Sequence, residues 1–265
     1  MRSLLTALCT FLLPNVLAFP ILRLLGHRIH HSVKIGWSWL WIDGLELAEN
    51  ARIGHANFIQ VHRLQMGAAA IIRNRNRMRG PLYISLAKQA AIGNNNSIYR
   101  ATTPVTAGLA ELRLGQLAIL TSKHHLDCTR SIYIGDFTTI SGLGSQFWTH
   151  GYFHAASGAE RIRIDGEIRI GNNVSIGSQC VLNPGIQIAN HVHLGSHMAV
   201  GKSLLQSGMY VAQPLRRLER DIDELRYRLV HDASVTADEV YVKKIVVKSA
   251  PMTPAQAEKM LCHAE

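Results

Sequence analysis

A six-residue repeat is the feature of this sequence that most restricts its fold. In steps of six the chain carries only aliphatic residues, at Ile164, Ile170, Ile176, Leu182, Ile188, Leu194 and Val200. The residue after each of these is mostly glycine or another small residue. A period of six fits neither an α-helix nor a single strand, but it fits a short strand followed by a tight bend.

Three such units predict a triangular coil of about 18 residues. The aliphatic side chains point to the axis, and the small residues let neighbouring coils approach closely. Successive coils stack as parallel strands. Weaker traces of the pattern begin upstream, so we expect one all-β stack over residues 32–212. Changes of register predict excursions near residues 66–82, 100–112 and 147–163.

The segments on either side of the repeat differ from it in composition and periodicity. Residues 1–31 are apolar but interrupted at Pro14 and Pro20, which predicts one or two short helices that cap the fold or lie on a membrane surface. In the membrane alternative three basic side chains face the headgroups: Arg23, His27 and Arg28. A signal peptide ending near Ala18 is the third alternative.

The other flank carries apolar residues at helical spacing. It predicts an amphipathic C-terminal helix within residues 213–232 that covers the open end of the stack. The tail 233–265 contains a strand-like run at 240–247 and has no predicted place.

The net charge and the cysteine content restrict the classes of binding partner and the cellular compartment that we expect. Lys and Arg number 28 against 18 Asp and Glu, a formal charge of +10, which favours anionic partners. No recognisable module interleaves basic residues with aromatics, which argues against nucleic acid. The 4 cysteines are scattered without CxxC spacing, as expected of reduced thiols in a cytosolic protein.

The run of residues 168–216 closely resembles the bacterial hexapeptide-repeat acyltransferases, which include galactoside, maltose, xenobiotic and polysaccharide O-acetyltransferases. The resemblance is strong over residues 132–216 and looser over 35–131. It implies a left-handed parallel β-helix and a homotrimer with acetyl-CoA in grooves between subunits. It also implies acetyl transfer to a sugar hydroxyl in surface-polysaccharide biosynthesis, in the cytoplasm and near the inner membrane face.

The family resemblance also points to a catalytic base. Its members carry a histidine about twenty residues before the segment that matches Ile170 here. His150 stands at that spacing, and His154, four residues later, is the second choice. An imidazole titrates near neutral pH, so it can take the proton of a sugar hydroxyl as the oxygen attacks the thioester.

By position in the family pattern, four residues are expected to contact acetyl-CoA: Ser178, Ser196, Lys202 and Arg216. Small residues let the pantetheine arm lie against the backbone, and the basic side chains suit phosphates. For Lys202 and Arg216 a solvated end of the stack is the alternative. No resident metal is expected.

The acceptor pocket is predicted from the stretch 121–128, about one coil before His150. His125 and Asp127 are expected to border this pocket or to orient the base, with a polar corner as the alternative, and Trp148 is assigned to the same pocket. A comb of arginines is predicted to project from one face of an extended strand, for an anionic ligand or as a solvated face: Arg73, Arg75, Arg77 and Arg79.

Two other functions remain open from the sequence. One is a zinc enzyme like the γ-class carbonic anhydrases, which share the scaffold and hold zinc between subunits through three histidines. The other is a non-catalytic β-helical assembly protein. Within one subunit, His191 and His197 are expected to lie on adjacent faces of the stack, so they do not converge on a metal.

Overall fold

The computed structural model describes residues 1–102, 105–156, 158–211, 222–234 and 240–243. The fold is mostly β, as predicted, and its main sheets are parallel throughout, consistent with a parallel β-helix. Three helices flank the strands among the described residues: α1 (Arg2–Leu12), α2 (Asn15–Leu24) and α3 (Ile222–Arg228).

The strands up to the middle of the chain are β1 (Arg28–Ile29), β2 (Lys34–Ile35), β3 (Trp39–Leu47), β4 (Arg52–Ile53), β5 (Phe58–Met66), β6 (Ile71–Ile72), β7 (Arg77–Arg79), β8 (Tyr83–Leu86), β9 (Ala91–Ile92), β10 (Ser97–Tyr99), β11 (Glu111–Leu114), β12 (Ile119–Ser122), β13 (His125–Asp127) and β14 (Ile132–Ile134). The later strands are β15 (Thr139–Leu143), β16 (Gln146–Trp148), β17 (His150–His154), β18 (Arg161–Asp165), β19 (Ile168–Ile170), β20 (Ser175–Ile176), β21 (Val181–Leu182), β22 (Gln187–Ile188), β23 (Val192–Leu194), β24 (Ala199–Val200), β25 (Gly208–Tyr210), β26 (Val230–His231) and β27 (Val240–Val242).

These strands form a prism with three faces. Face 1 carries β7, β10, β13, β16, β21 and β24; face 2 carries β1, β8, β11, β14, β19 and β22; face 3 is a nine-stranded sheet that starts at β2 and ends at β25. Faces 1 and 2 are joined because β3 and β5 run across both. Residues 58–60 of β5 pair with β7, whereas residues 63–66 pair with β8. The aliphatic residues of the repeat fill the axis as one continuous core.

Two corners of the prism are built to one plan. Corner A joins face 2 to face 3, corner B joins face 3 to face 1, and four-residue turns such as 93–96 make them. The third turn residue adopts a left-handed conformation, as in Asn95 (φ 59°). The first is small in most of these turns; a Cβ on Gly93, for example, would lie 2.0 Å from the carbonyl oxygen of Thr121 in the next coil. The small residues of the sequence repeat therefore mark these corners.

The last turn residue at corner B builds a buried ladder of hydrogen bonds along the inside of the prism. Its members are Ser38, Asn57, Asn76, Asn96, His124, Ser145 and Cys180. Asn76 shows the pattern: its backbone N–H and Nδ2 donate to Oδ1 of Asn57 at 2.9 and 3.1 Å, and its own Oδ1 accepts the same two bonds from Asn96. Each coil is thus hydrogen-bonded to the next by side chains as well as by strands.

Corner C, which joins face 1 to face 2, has no fixed length. The chain crosses it without a break in β3 and β5, but it leaves the prism between β10 and β11 and again between β16 and β19. Two predicted excursions are therefore confirmed, with shifted bounds. The predicted excursion at 66–82 is wrong, because β6 and β7 pair in register on both sides there.

The prediction that four arginines project from one face of a single strand is also wrong. Arg73 and Arg75 are turn residues at corner B, and only Arg77 and Arg79 project from β7, with Met78 buried between them. All four side chains are exposed. Their arrangement fits a solvated surface as well as it fits a ligand.

The helices α1 and α2 cover the first coil of the prism. The chain breaks at Pro14, as predicted, whereas Pro20 lies within α2. α1 packs against β3, and Phe19 and Leu22 of α2 join the axial core. His27, predicted to face headgroups, is buried instead, with Nε2 2.7 Å from the Thr6 hydroxyl. No helix among the described residues is long and apolar enough to cross a membrane.

The C-terminal helix differs from its prediction. In the described part of 213–232, α3 ends at Arg228 and β26 follows it. The described contacts of α3 include the excursion 149–167, where Arg226 Nη1 lies 2.7 Å from Glu160 Oε1; they do not place it over the open end of the stack. Within the tail, β27 pairs in parallel with β18.

The ladder predicts a large cost for interrupting it. Asn76→Ala leaves the backbone N–H and Nδ2 of Asn96 and the Gly93 carbonyl without the partner that Asn76 supplies. We expect a loss of about 3 kcal/mol in the free energy of unfolding, measured by urea denaturation. Lys88→Ala, at an exposed turn position, is the control and should change it by less than about 0.5 kcal/mol.

His124 predicts a pH dependence of stability. Burial lowers the pKa of His124 from 6.5 to about 4. As the pH falls from 6.5 towards 4, the unfolded chain binds a proton that the folded chain does not, so stability falls in this window. His124→Asn continues the asparagine ladder and should remove about 2 kcal/mol of the loss between pH 7.5 and pH 5. Equal losses in the variant and the wild type, by urea denaturation at both values, would contradict this.

Candidate active site

The interruption at residues 146–164 is an antiparallel hairpin. β16 ends on face 1 at Trp148, β17 and β18 pair with each other outside the prism, and the chain returns to face 2 at Ile168. Ile164, the first aliphatic of the predicted axial column, pairs with Gly151 in this hairpin and packs with Ile162, not in the axis. Ile164 matches the six-residue period only because of the length of the hairpin, and it is not a residue of the axial column.

Thr149 fixes the point where the hairpin leaves the prism. Its side chain is buried, its hydroxyl accepts the backbone N–H of Arg130 at 2.9 Å, and it lies 2.9 Å from the carbonyl oxygen of Asp127. Its own carbonyl accepts the N–H of Gly166 at 2.9 Å. The first residue of β17, His150, is therefore held from both sides.

His150 and Asp127 form a hydrogen-bonded pair. Nδ1 of His150 lies 2.9 Å from Oδ1 of Asp127, and Asp127 is only 3% exposed. The same carboxylate accepts the backbone N–H and the hydroxyl of Thr129, each at 3.2 Å, and the Thr149 hydroxyl lies 3.0 Å from Oδ1. Because an ionised carboxylate only accepts, Nδ1 carries the proton in this bond.

The second ring nitrogen of His150 is available for chemistry. The side chain is 28% exposed, and Nε2 makes no hydrogen bond with the described residues. With the proton on Nδ1, the neutral ring presents an Nε2 lone pair to solvent. This is the arrangement of a general base whose tautomer is set by a carboxylate.

The pair shifts both pKa values towards ionisation. The hydrogen bond that His150 donates to Asp127 raises the pKa of His150 above 6.5, against the effect of burial, and the charges of Asp127 and Asp165 add to it. Burial would raise the pKa of Asp127, but the hydrogen bond and charge of His150 and the bonds from Thr129 and Thr149 bring it below its usual value. Asp127 is therefore ionised across the neutral range.

A buried charge cluster lies across the hairpin from His150. Asp165 is the strand partner of His150, and Arg163 binds its carboxylate through two bonds of 2.9 and 3.1 Å. Nε of Arg130 lies 3.4 Å from the same carboxylate, and Arg130 also hydrogen-bonds Asp232 beside β26. The cluster ties the hairpin to the prism and to the C-terminal strands.

Aromatic rings border His150. The centroids of Trp148 and Tyr152 lie 6.3 and 6.1 Å from the imidazole, both edge-on, and the His125 ring lies 5.0 Å from Trp148. Aromatic faces can pack against the apolar face of a sugar ring. The structure thus brings four predicted residues into one site: His125, Asp127, Trp148 and His150.

His154 lies outside this site. It is exposed at the far end of β17, about 13 Å along the strand from His150, and its strand partner is Arg161. Since no carboxylate of the described residues is hydrogen-bonded to it as Asp127 is to His150, the geometry favours His150 as the base.

The predicted acetyl-CoA residues do not form one patch with His150 in a single subunit. Ser178 and Ser196 are neighbouring turn residues at corner B, with the Ser178 N–H 3.2 Å from the Ser196 hydroxyl. Lys202 follows β24 at corner C, where it lines a groove of about 500 Å³ at the last coil. Arg216 lies outside the described residues.

The described residues contain no group of three or more His, Cys, Asp or Glu arranged to hold a metal ion. His191 and His197 are turn residues at corners A and B respectively (φ 58° and 60°). They lie apart, as the repeat predicts.

Sequence reasoning missed part of the site. Thr129 and Thr149, which hydrogen-bond Asp127, were not predicted. They lie within two residues of Asp127 and His150, so hydroxyl residues next to the predicted pair were the signal that could have identified them. The Arg163–Asp165 pair gave no such signal, because alternating charged and aliphatic residues at 161–165 read as another strand of the repeat.

The geometry is that of a carboxylate-oriented histidine base beside aromatic rings. No protein-family model matches the chain, and no curated protein matches it. The chemistry of the site therefore has to follow from its own residues.

Replacing Asp127 predicts a change in the titration of His150. Asp127→Asn removes the charge and the strong acceptor that raise the imidazole pKa, so this pKa should fall, as measured by NMR titration of the ring protons. Glu49→Gln removes a carboxylate at an exposed turn of corner A and serves as the control, with a pKa close to wild type. An unchanged pKa in Asp127→Asn would show that the pair does not form in solution.

Proposed function

We propose that this protein is a CoA-dependent O-acyltransferase that moves an acetyl group from acetyl-CoA to a sugar hydroxyl. The observation that carries the proposal is the Asp127–His150 pair, with Nδ1 committed to the carboxylate and Nε2 open. The parallel β-helix and the sequence resemblance to hexapeptide-repeat acetyltransferases support it. In this proposal the helix is left-handed, as in that family.

The reaction needs a base because a sugar hydroxyl is almost fully protonated at neutral pH. Nε2 of His150 accepts the hydroxyl proton while the oxygen attacks the thioester carbonyl. The tetrahedral intermediate then collapses, the C–S bond breaks, and the CoA thiolate takes the proton from the imidazolium. Asp127 stabilises the imidazolium and keeps the ring in the productive tautomer. The products are the acetyl ester and free CoA, and no acyl-enzyme forms.

The proposed acceptor is a sugar of a surface polysaccharide or of its precursor. In this proposal Trp148 and Tyr152, whose rings lie edge-on to the imidazole, contact the sugar near the hydroxyl that meets Nε2. His125 borders the same surface. Acetyl-CoA places the reaction on the cytoplasmic side of the membrane.

A homotrimer would complete the site. Ser178 and Ser196 lie across face 1 from His150 in one subunit, so a groove between neighbouring subunits would let His150 of one meet the cofactor contacts of the next. Lys202 and Arg216 are the proposed phosphate contacts in that groove.

Removing the base predicts a selective loss of rate. His150→Ala should lower acceptor-dependent release of CoA thiol from acetyl-CoA by about 100- to 10,000-fold across a panel of sugars. His154→Ala is the matched control and should stay within a few-fold of wild type. The reverse result would assign the base to His154. Activity that disappears after chelation and returns with zinc would favour the zinc enzyme instead.

The pH profile gives an independent test of the role of His150. Only the neutral imidazole is a base, so activity should rise as the pH rises through the raised pKa of His150. Asp127→Asn should move this limb to lower pH and lower the plateau. A limb that stays in place would show that another group limits the rate.

A further inference from the structure

The outer faces of α1 and α2 form an apolar surface that the fold leaves uncovered. The buried side of α1 is made of small residues, and α2 buries Ala18, Phe19 and Leu22. The large apolar side chains that remain exposed on the two helices are Leu4, Leu5, Leu8, Phe11, Leu12, Val16, Leu17, Ile21 and Leu24. Four of them are more than half exposed: Leu12 (65%), Val16 (82%), Leu17 (56%) and Leu24 (88%).

The charged residues within α1 and α2, Arg2 and Arg23, are both basic, whereas the Asp43 carboxylate accepts a hydrogen bond from Ser3 of the buried side of α1. No acidic residue occurs before Asp43, and the charged side chains up to that point are Arg2, Arg23, Arg28 and Lys34. All four residues are exposed. An apolar helical surface with basic residues beside it complements a lipid bilayer that carries anionic headgroups.

We propose that the outer face of α1 and α2 docks the protein onto an anionic membrane surface. Leu12, Val16, Leu17 and Leu24 enter the boundary between headgroups and acyl chains, and the basic side chains meet lipid phosphates. The helices bind in the plane of the interface and do not cross it. A second copy of this chain is the competing occupant, but two copies would bring like charges together.

The surface is separate from the candidate active site. On face 1, β5, β7, β10 and β13 lie between β3, which α1 covers, and β16. At about 4.8 Å per strand, His150 is therefore roughly 24 Å from the first coil. The docking does not depend on the proposed acyl transfer, and each can fail without the other.

The test is sedimentation of the full chain with vesicles. We expect binding to vesicles of phosphatidylcholine and phosphatidylglycerol at 3:1 (about 25% anionic lipid), at least tenfold stronger than to phosphatidylcholine alone, and weaker at high salt. The triple variant Leu12→Glu, Val16→Glu and Leu24→Glu should lose at least tenfold in the partition coefficient. These side chains are exposed, so the variant should keep the wild-type circular dichroism and unfolding transition.

A matched variant separates this effect from added negative charge. Leu143→Glu, Leu205→Glu and Met209→Glu place the same charges on exposed apolar residues outside α1 and α2 and should bind vesicles within about twofold to threefold of wild type. Three results would overturn the proposal: no binding of the wild type, equal loss in both triple variants, or a helix variant that binds lipid normally but changes oligomeric state by light scattering.

Discussion

The hydrogen-bonded ladder at corner B is the constraint on which the rest of the prism depends. A coil that turns every few residues exposes backbone groups to its own interior, where water is excluded. Asn57, Asn76 and Asn96 satisfy those groups and repeat the same bonds from coil to coil. Because each amide also binds the amide below it, the ladder sets the register of all three faces at once. The aliphatic axis contributes most of the apolar burial, but it would tolerate slippage that the ladder does not.

The two regular corners explain where the candidate site lies. Corners A and B combine a left-handed third residue with close backbone contact, and the one insertion seen in the described turns of corner B is a single residue at 141–145. Corner C carries neither requirement, and both excursions leave from it. His150 sits at the base of the larger excursion, where Asp127 on the preceding coil can reach its ring. The candidate catalytic pair thus lies at the corner that accepts extra residues, next to coils whose turns are tightly packed.

The sequence predicted the parts of the structure that repeat. Isoleucine and glycine at period six reflect burial and close approach, which act on single positions and so can be read from them. The hairpin strand 161–165 has the same alternation but antiparallel partners, and local pattern does not distinguish the two. The coil through β6 and β7 looked like an excursion because Gly80, Pro81 and Leu82 lengthen it at corner C and shift the register. For the site, spacing along the chain predicted that Asp127 lies near His150. The buried Arg163–Asp165 pair depends on tertiary contacts, which the spacing does not predict.

The pairing of β27 with β18 has a consequence for the order of assembly. The prism can form coil by coil, because each of its strands pairs with strands that lie one coil away in the sequence. The sheet that carries His150 is different, since β27 joins it only after all the prism strands have been made, and Asp232 reaches Arg130 from the same late segment. During synthesis Asp127 is in place well before this sheet is complete. The hairpin would therefore be the last region to become rigid, and the proposed activity would appear later than the scaffold that carries it.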